Sequence, residues 1–424
     1  MPSVYIKAYG CSANTADAEI AKGVLTEKGY RMVNSPSTSD LNMLVTCIVK
    51  TPTEQKITKQ IQQLSSTGTP LIVAGCMPKA MRDHVEAAAP HASMVGPDDL
   101  SRVVEAVAKT LKGERVVYVD GAPTNRTCLP RVRVNKLVHI APVCTGCLGN
   151  CSYCIVKYAR GRLHSFPAED IVQDVEAAVR DGCREVWVTA EDTAAYGDGE
   201  KRLPQLLDMI SSVGGDFKVR VGMMTPNQAL PILDDLVDAY SSDKVYKFLH
   251  VPIQSGNDEV LRAMRRKYTV ADFKAIMGRF REAYPTMGVS TDIICGFPGE
   301  TREQFDDSLT LVSWLQPDVL NISRFWERPG TEAAGMPGKL HGRDTKARSR
   351  ALTNLWKELA VKAGEKWLGW EGEILLTEKG KRSSKVGRNY AYKAVAVDTE
   401  AELGETIRVK VAGAGVGFLE AEAA

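Results

Sequence analysis

The stretch LVHIAPVCTGCLGNCSYC, residues 137–154, runs an apolar segment directly into Cys144, Cys147, Cys151 and Cys154. Leu137–Ala141 reads as a β-strand, and the cysteines fill the loop behind it. Two Cys-x2-Cys pairs invite a structural zinc reading. Zinc sites of that kind separate their pairs by about a dozen residues or more, so that the chain can wrap the ion, and only three residues stand between Cys147 and Cys151. So tight a loop of thiolates suits an iron-sulfur cubane better. Leu137–Val156 also holds 20 residues without Asp, Glu, Lys or Arg, the length of a membrane span. Pro142, Gly146, Gly149, Asn150 and the cysteines argue against that use.

Downstream, apolar runs alternate with amphipathic segments. Strands are expected near Leu137–Ala141, Glu185–Thr189, Lys218–Val221, Lys247–Val251, Ser290–Ile294 and Asp318–Ser323, with helices between them, as at Ala168–Asp181 and Thr301–Leu315. Six β/α units fit a partial barrel, whose chemistry belongs in the loops behind the strand C-termini. Upstream, Val4–Ala8, Leu41–Thr46, Leu71–Gly75 and Ser93–Gly96 alternate with helical stretches, a βαβ pattern that implies a parallel sheet. The expected class is therefore α/β. An N-terminal parallel-sheet domain (1–120), a polar linker (121–136), a partial barrel (137–365) and a small β-domain (366–424) follow in order. The last is marked by period-2 alternation in IRVKV and by frequent glycine, and a Lys/Arg-rich helix from Asp344 to Trp367 leads into it.

The 424 residues exceed what a single core supports, and 44% hydrophobic with 25% charged residues is a globular balance. Ten cysteines in a chain that opens MPSVYIKAYG, without the apolar core of a signal peptide, point to a reducing cytoplasm. The net charge of +2 says little, but Lys339–Lys393 holds 14 Lys or Arg against 6 Asp or Glu, a candidate polyanion surface.

The spacing Cys147-x3-Cys151-x2-Cys154, behind the first strand of a β/α barrel, resembles the radical S-adenosylmethionine family. The resemblance implies three thiolate ligands to a [4Fe-4S] cluster, with one iron left for the amino and carboxylate groups of S-adenosylmethionine. It further implies reductive cleavage to a 5′-deoxyadenosyl radical, the cofactor carrying the difficult step. Cys144 falls outside that ligand set. Tyr153 holds the aromatic position near the adenine of the cofactor, and TAEDTAAYG (Glu191, Asp192), HVPIQSGND (Gln254) and DIICGFPGE (Gly296, Glu300) resemble cofactor-binding segments.

Cys11, Cys47 and Cys76 each stand just behind an N-terminal strand, in YIKAYGC, LNMLVTC and LIVAGC. Loops at the C-terminal edge of a parallel sheet converge, and Gly10 and Gly75 would let the backbone approach closely. One such cysteine would read as buried packing; three in equivalent positions read as a site.

Together, YGCSANTADAE, TCIVKTPTE, AGCMP, the central motif and GFPGET resemble the methylthiotransferases over essentially the whole chain. TCIVKTPTE lies nearest the archaeal and eukaryotic branch, which acts on N6-threonylcarbamoyladenosine at position 37 of tRNA. The resemblance implies a second [4Fe-4S] cluster on Cys11, Cys47 and Cys76, a TRAM-like RNA-binding final domain, and transfer of a methylthio group to C2 of the base. It also implies a flavodoxin- or ferredoxin-like electron donor. Asp17-Ala18-Glu19 departs from the usual pattern, in which serine follows the aspartate, and Val45-Thr46 from an asparagine-containing approach to the second cysteine. Without an apolar C-terminal tail, no membrane association is expected, and a monomer is.

Arg382, Lys385 and Arg388 in KGKRSSKVGRNY are the expected RNA contacts, with Tyr390 and Tyr392 as stacking partners. Cys128, Cys183 and Cys295 call for no chemistry. Methylthiolation of a ribosomal-protein aspartate is the competing reading, and a non-enzymatic iron-sulfur RNA-binding or electron-transfer protein a more distant one.

Overall fold

A computed structural model describes residues 1–381 and 383–424; Arg382, one of the expected RNA contacts, lies outside the described residues. Apolar runs in the first third build a six-stranded parallel sheet in the order Arg31–Val33, Ser3–Ala8, Leu41–Thr46, Leu71–Gly75, Ser93–Val95, Val117–Tyr118. Every residue of Leu41–Thr46 and of Leu71–Gly75 is buried, as expected for central strands covered on both faces. The two outer strands, Arg31–Val33 and Val117–Tyr118, are absent from the sequence expectation. With three and two residues, they are too short to show periodicity. Strand order reverses between Ser3–Ala8 and Leu41–Thr46, the kind of switch point where open α/β sheets bind ligands. Cys11 and Cys47 follow those two strands.

The barrel consists of two three-stranded parallel sheets. One runs Val138–Pro142, Glu185–Thr189, Lys218–Val221, and the other Phe248–His250, Gly288–Cys295, Val319–Arg324. A parallel bridge from Val219 to Val245 joins them. All six expected strands form. Helices pack outside, and one continuous core runs from Ala141 through Val188, Phe217, Leu249 and Phe305 to Leu352. Thr301 starts the helix Arg302–Leu315 with a capping box to Gln304.

The segment 120–136 has almost no regular structure, yet it is tied down. Arg126, 3% exposed, donates to Asp17 Oδ1 at 2.6 Å, and Arg131 donates to Asp174 at 2.9 Å. Glu19 accepts from Val134 N–H through its side chain and from Val132 N–H through its carbonyl. Asp17 and Glu19 thus clasp the linker to the sheet domain.

The final residues close a five-stranded barrel, antiparallel except where Ala394–Val397 pairs in parallel with Phe418–Ala423. It caps the N-terminal ends of the β/α strands. Tyr392 packs on Tyr246 and Phe248 at 4.9 and 5.1 Å between ring centres, and Lys393 pairs with Asp318. Among the described residues no helix is long and apolar enough to cross a membrane.

Candidate active site

A cavity of about 290 Å³ opens at the C-terminal ends of the barrel strands, under the edge of the N-terminal sheet. Cys147, Cys151 and Cys154 line it together with Tyr153, Glu191 and Gln254. Gly149 N–H donates to Cys147 Sγ at 3.2 Å, and Arg266 Nη1 to Cys151 Sγ at 3.0 Å. Backbone N–H groups of Val156 and Lys157 act on Cys154. A Cβ on Gly149 would stand 3.2 Å from Cys147 Sγ and 3.6 Å from Cys151 Sγ, so glycine keeps the space between these thiols clear.

This donor set fits a cluster. Burial pushes the Cys147 thiol up to about 11, and burial raises Cys154 as well. Cys147 and Cys154 therefore stay protonated until a metal displaces the proton, while Arg266 and the peptide N–H groups stand ready to stabilise sulfur charge. Among the described residues no three His, Cys, Asp or Glu side chains converge on a point where one ion could sit. A cubane instead takes one thiolate at each of several separate corners.

The N-terminal cysteines meet as well. Burial raises the Cys11 thiol, with the neighbouring Cys47 adding to the shift, and burial pushes Cys76 up to about 12, with Cys11 and Cys47 adding to it. Gly10 has φ +104°, and a Cβ there would stand 2.4 Å from Cys47 Cβ. Asn14 Nδ2 donates to Tyr9 O at 2.8 Å and to Thr46 O at 3.0 Å, bolting the Cys11 and Cys47 loops together.

Arg160 ends the short helix Val156–Arg160 behind Cys154 and connects the two groups of thiols. Only 2% exposed, it donates through Nη2 to Asn14 Oδ1 and to Asp17 Oδ2, both at 2.8 Å, and its Nε lies 3.7 Å from Glu191. Ile155 and Ala159 on the same turn pack into the core around Cys47 and Cys76.

Other expected site residues are placed differently. Asp192 is buried beside the cavity, where its carboxylate accepts from Thr225 N–H and from its hydroxyl. Gly296 and Glu300 lie outside the cavity wall. Glu300 accepts from Gly296 N–H and pairs with Arg348, so the GFPGE turn braces the helix Gly342–Glu365. Gln254 takes a left-handed φ of +76°, an unusual conformation for a residue other than glycine, and exchanges backbone hydrogen bonds with Asp292 and Ile294. Cys144 is buried, and its thiol faces the Asp192 carbonyl at 3.9 Å.

Of the expected RNA contacts in the final domain, Lys385 and Arg388 have partners within the protein. Lys385 Nζ is spent on the carbonyls of Thr399, Glu400 and Ala401. Arg388 pairs with Glu378 and lies 4.9 Å over the ring of Tyr392. Tyr392 is committed to the barrel contact, whereas Tyr390 is 40% exposed.

Sequence reading missed Asn14, Arg160, Arg266 and Asp292. Asp292 lines the cavity and binds His250 Nε2 at 2.6 Å. None stands in a metal-ligand spacing, and Asn14 and Arg160 meet across 146 positions. Only the loop positions behind strands could have singled out candidates.

The profile described as the Radical SAM superfamily matches residues 142–312, and that of uncharacterized protein family UPF0004 matches residues 3–96. A probable threonylcarbamoyladenosine tRNA methylthiotransferase of Pyrococcus horikoshii is 38% identical over 100% of this chain and 99% of its own length. One from Methanothermobacter thermautotrophicus is 39% identical over 99% of each. The Homo sapiens threonylcarbamoyladenosine tRNA methylthiotransferase is 34% identical over 99% of this chain and 73% of its own. Among solved structures, a radical S-adenosylmethionine methyltransferase of Kitasatospora setae with cobalamin and a [4Fe-4S] cluster superposes with a TM-score of 0.58. That likeness has 15% identity, covers 78% of this chain and 77% of the other, and speaks for the fold alone. Membership of the radical S-adenosylmethionine superfamily implies one [4Fe-4S] cluster and S-adenosylmethionine. With near-complete coverage at this identity, the chain belongs to the threonylcarbamoyladenosine tRNA methylthiotransferase family.

Proposed function

We propose that this protein attaches a methylthio group to C2 of N6-threonylcarbamoyladenosine at position 37 of tRNA. Cys147, Cys151 and Cys154 would hold one [4Fe-4S] cluster, and Cys11, Cys47 and Cys76 a second. The observation that carries the reading is the shared cavity: the loop behind Cys47, through Val49 and Lys50, lines the same space as the Cys147–Cys154 loop. When bound, the clusters and S-adenosylmethionine supply a 5′-deoxyadenosyl radical for hydrogen abstraction from carbon and a methylated sulfur for transfer.

The chain's own residues do the positioning. Arg160, with its buried bonds to Asn14 and Asp17, holds the two cysteine groups in one rigid relation, so that a base between them meets both. Tyr153, Met223, Ile293, Phe325 and Trp326 give the cavity apolar walls. Such walls exclude water and receive a base splayed from the anticodon loop. Gln254 and Glu191 offer polar groups to a nucleoside. Arg266 neutralises developing charge on Cys151 sulfur.

Residues 366–424 form the TRAM-like RNA-binding domain in this reading. Its phosphate contacts fall to exposed Lys379 and Lys381 rather than to Lys385 and Arg388. A flavodoxin- or ferredoxin-like donor supplies the electron, the chain acts as a monomer, and a tRNA substrate suits the cytoplasm. The competing substrate, a ribosomal-protein aspartate, is not favoured, since the relatives reported above carry names that specify tRNA.

Exchanging one cysteine in each group tests the division of labour. Cys151→Ala should abolish 5′-deoxyadenosine formation. Cys47→Ala should keep that cleavage and lose sulfur transfer to tRNA; the opposite pattern would mean that the two groups have exchanged roles.

A further inference from the structure

Where the cavity opens between the two domains, its wall carries Lys50, Arg324 and Arg328, of which only Arg328 has an acid partner among the described residues. Lys50 comes from the N-terminal loop behind Cys47; Arg324 and Arg328 come from the end of the last barrel strand and the loop after it. Arg328 is 4% exposed. Its Nη1 is spent on Glu54 across the domain boundary, while Nη2 is buried with no hydrogen-bond partner. Arg324 stacks 4.9 Å from the Trp326 ring, and among the described residues neither it nor Lys50 is ion-paired. The carboxylates in the same wall, Glu191 and Asp292, face Arg160 and His250 instead. A buried guanidinium with an open donor, flanked by two unpaired cations, is a receptor for a planar oxyanion.

We infer that Lys50, Arg324 and the free Nη2 of Arg328 bind the carboxylate of the threonyl group on the base, and so select threonylcarbamoyladenosine over adenosine. The inference rests on the function proposed above. The threonylcarbamoyl group extends from N6, on the Watson–Crick edge of the purine that also bears C2. Whatever anchors its carboxylate therefore fixes the reacting carbon within the cavity, and Trp326, held by Arg324, offers a ring face to the base. A backbone phosphate is the other oxyanion that tRNA could bring to the same cations, and it would confer no preference for the modified base.

Arg328 also holds Glu54, so the test uses Arg324→Gln and Lys50→Gln. The probes are three anticodon stem-loops, alike except at position 37: threonylcarbamoyladenosine, its methyl amide, and adenosine. Binding is measured without turnover, by fluorescence anisotropy. The parent protein should bind the carboxylate form about tenfold more tightly than the methyl amide. Each substitution should shrink that ratio, and the double variant should shrink it further, to what Arg328 alone supplies, with affinity for the methyl amide retained. Equal weakening toward all three RNAs would identify a phosphate contact and overturn the carboxylate assignment, as would a ratio that both substitutions leave untouched. In either case a surviving preference of the parent protein for the modified loop over adenosine would leave the substrate reading intact. No binding, or no such preference in the parent protein, would overturn both.

Discussion

Asp192 illustrates how burial sets chemistry at a single residue. Its carboxyl is almost sealed from solvent, and burial pushes it up to about 6 in spite of the two hydrogen bonds from Thr225. In the unfolded chain the same group ionises near pH 4. Between those values the folded protein binds more protons than the unfolded one, so this group makes stability fall as pH rises from about 4 to about 6, and the penalty persists above. Asp192→Asn retains an acceptor for Thr225 N–H and removes the charge. It should stabilise the protein at pH 7.5 by on the order of 2 kcal/mol and have no such benefit at pH 4, read from urea unfolding at both pH values. An equal gain at both would rule out buried charge as the cause. Cys147, Cys151 and Cys154 could be read from sequence because their spacing is local, and Cys11, Cys47 and Cys76 because each follows a strand. Arg160, Asn14 and Arg328 could not, since each meets its partner on another domain.

At the scale of elements, loops behind parallel strands do the work, and glycine permits their close approach. Gly10→Ala would require a strained φ and would drive a methyl group into Cys47. Gly149→Ala would crowd Cys147 more gently. After reconstitution, Gly10→Ala should lose the iron and sulfide of one cluster and keep the spectroscopic signal of the other. Gly149→Ala should shift the signal of the barrel cluster and spare the N-terminal one. Loss of both signals in either variant would contradict separate sites. The six barrel strands were legible because each is a short apolar or alternating run bounded by polar turns. The short outer strands of the N-terminal sheet were not, nor was the closure of the final β-barrel by the pairing of Ala394–Val397 with Phe418–Ala423, which no local pattern announces.

Across the whole molecule, the two groups of three cysteines and the final domain occupy opposite ends of the barrel strands. The final domain is docked through Lys393 and Asp318, Asn135 Nδ2 on Thr377 O at 2.9 Å, and Lys247 N–H on Tyr390 O at 2.7 Å. Asp318→Asn should therefore hasten proteolytic cleavage around residues 366–371 without lowering iron content; a parallel loss of iron would mean that docking and the cysteine loops are coupled. At the other end, Arg328 with Glu54 and Arg160 with Asp17 join the sheet domain to the barrel, which makes the cavity a property of both. The most direct measurement is mass spectrometry of nucleosides from tRNA incubated with reconstituted protein, reductant and S-adenosylmethionine. The 2-methylthio derivative should appear, together with 5′-deoxyadenosine, only when the tRNA already carries threonylcarbamoyladenosine. Its absence from such tRNA, or its formation on unmodified adenosine, would contradict the assignment.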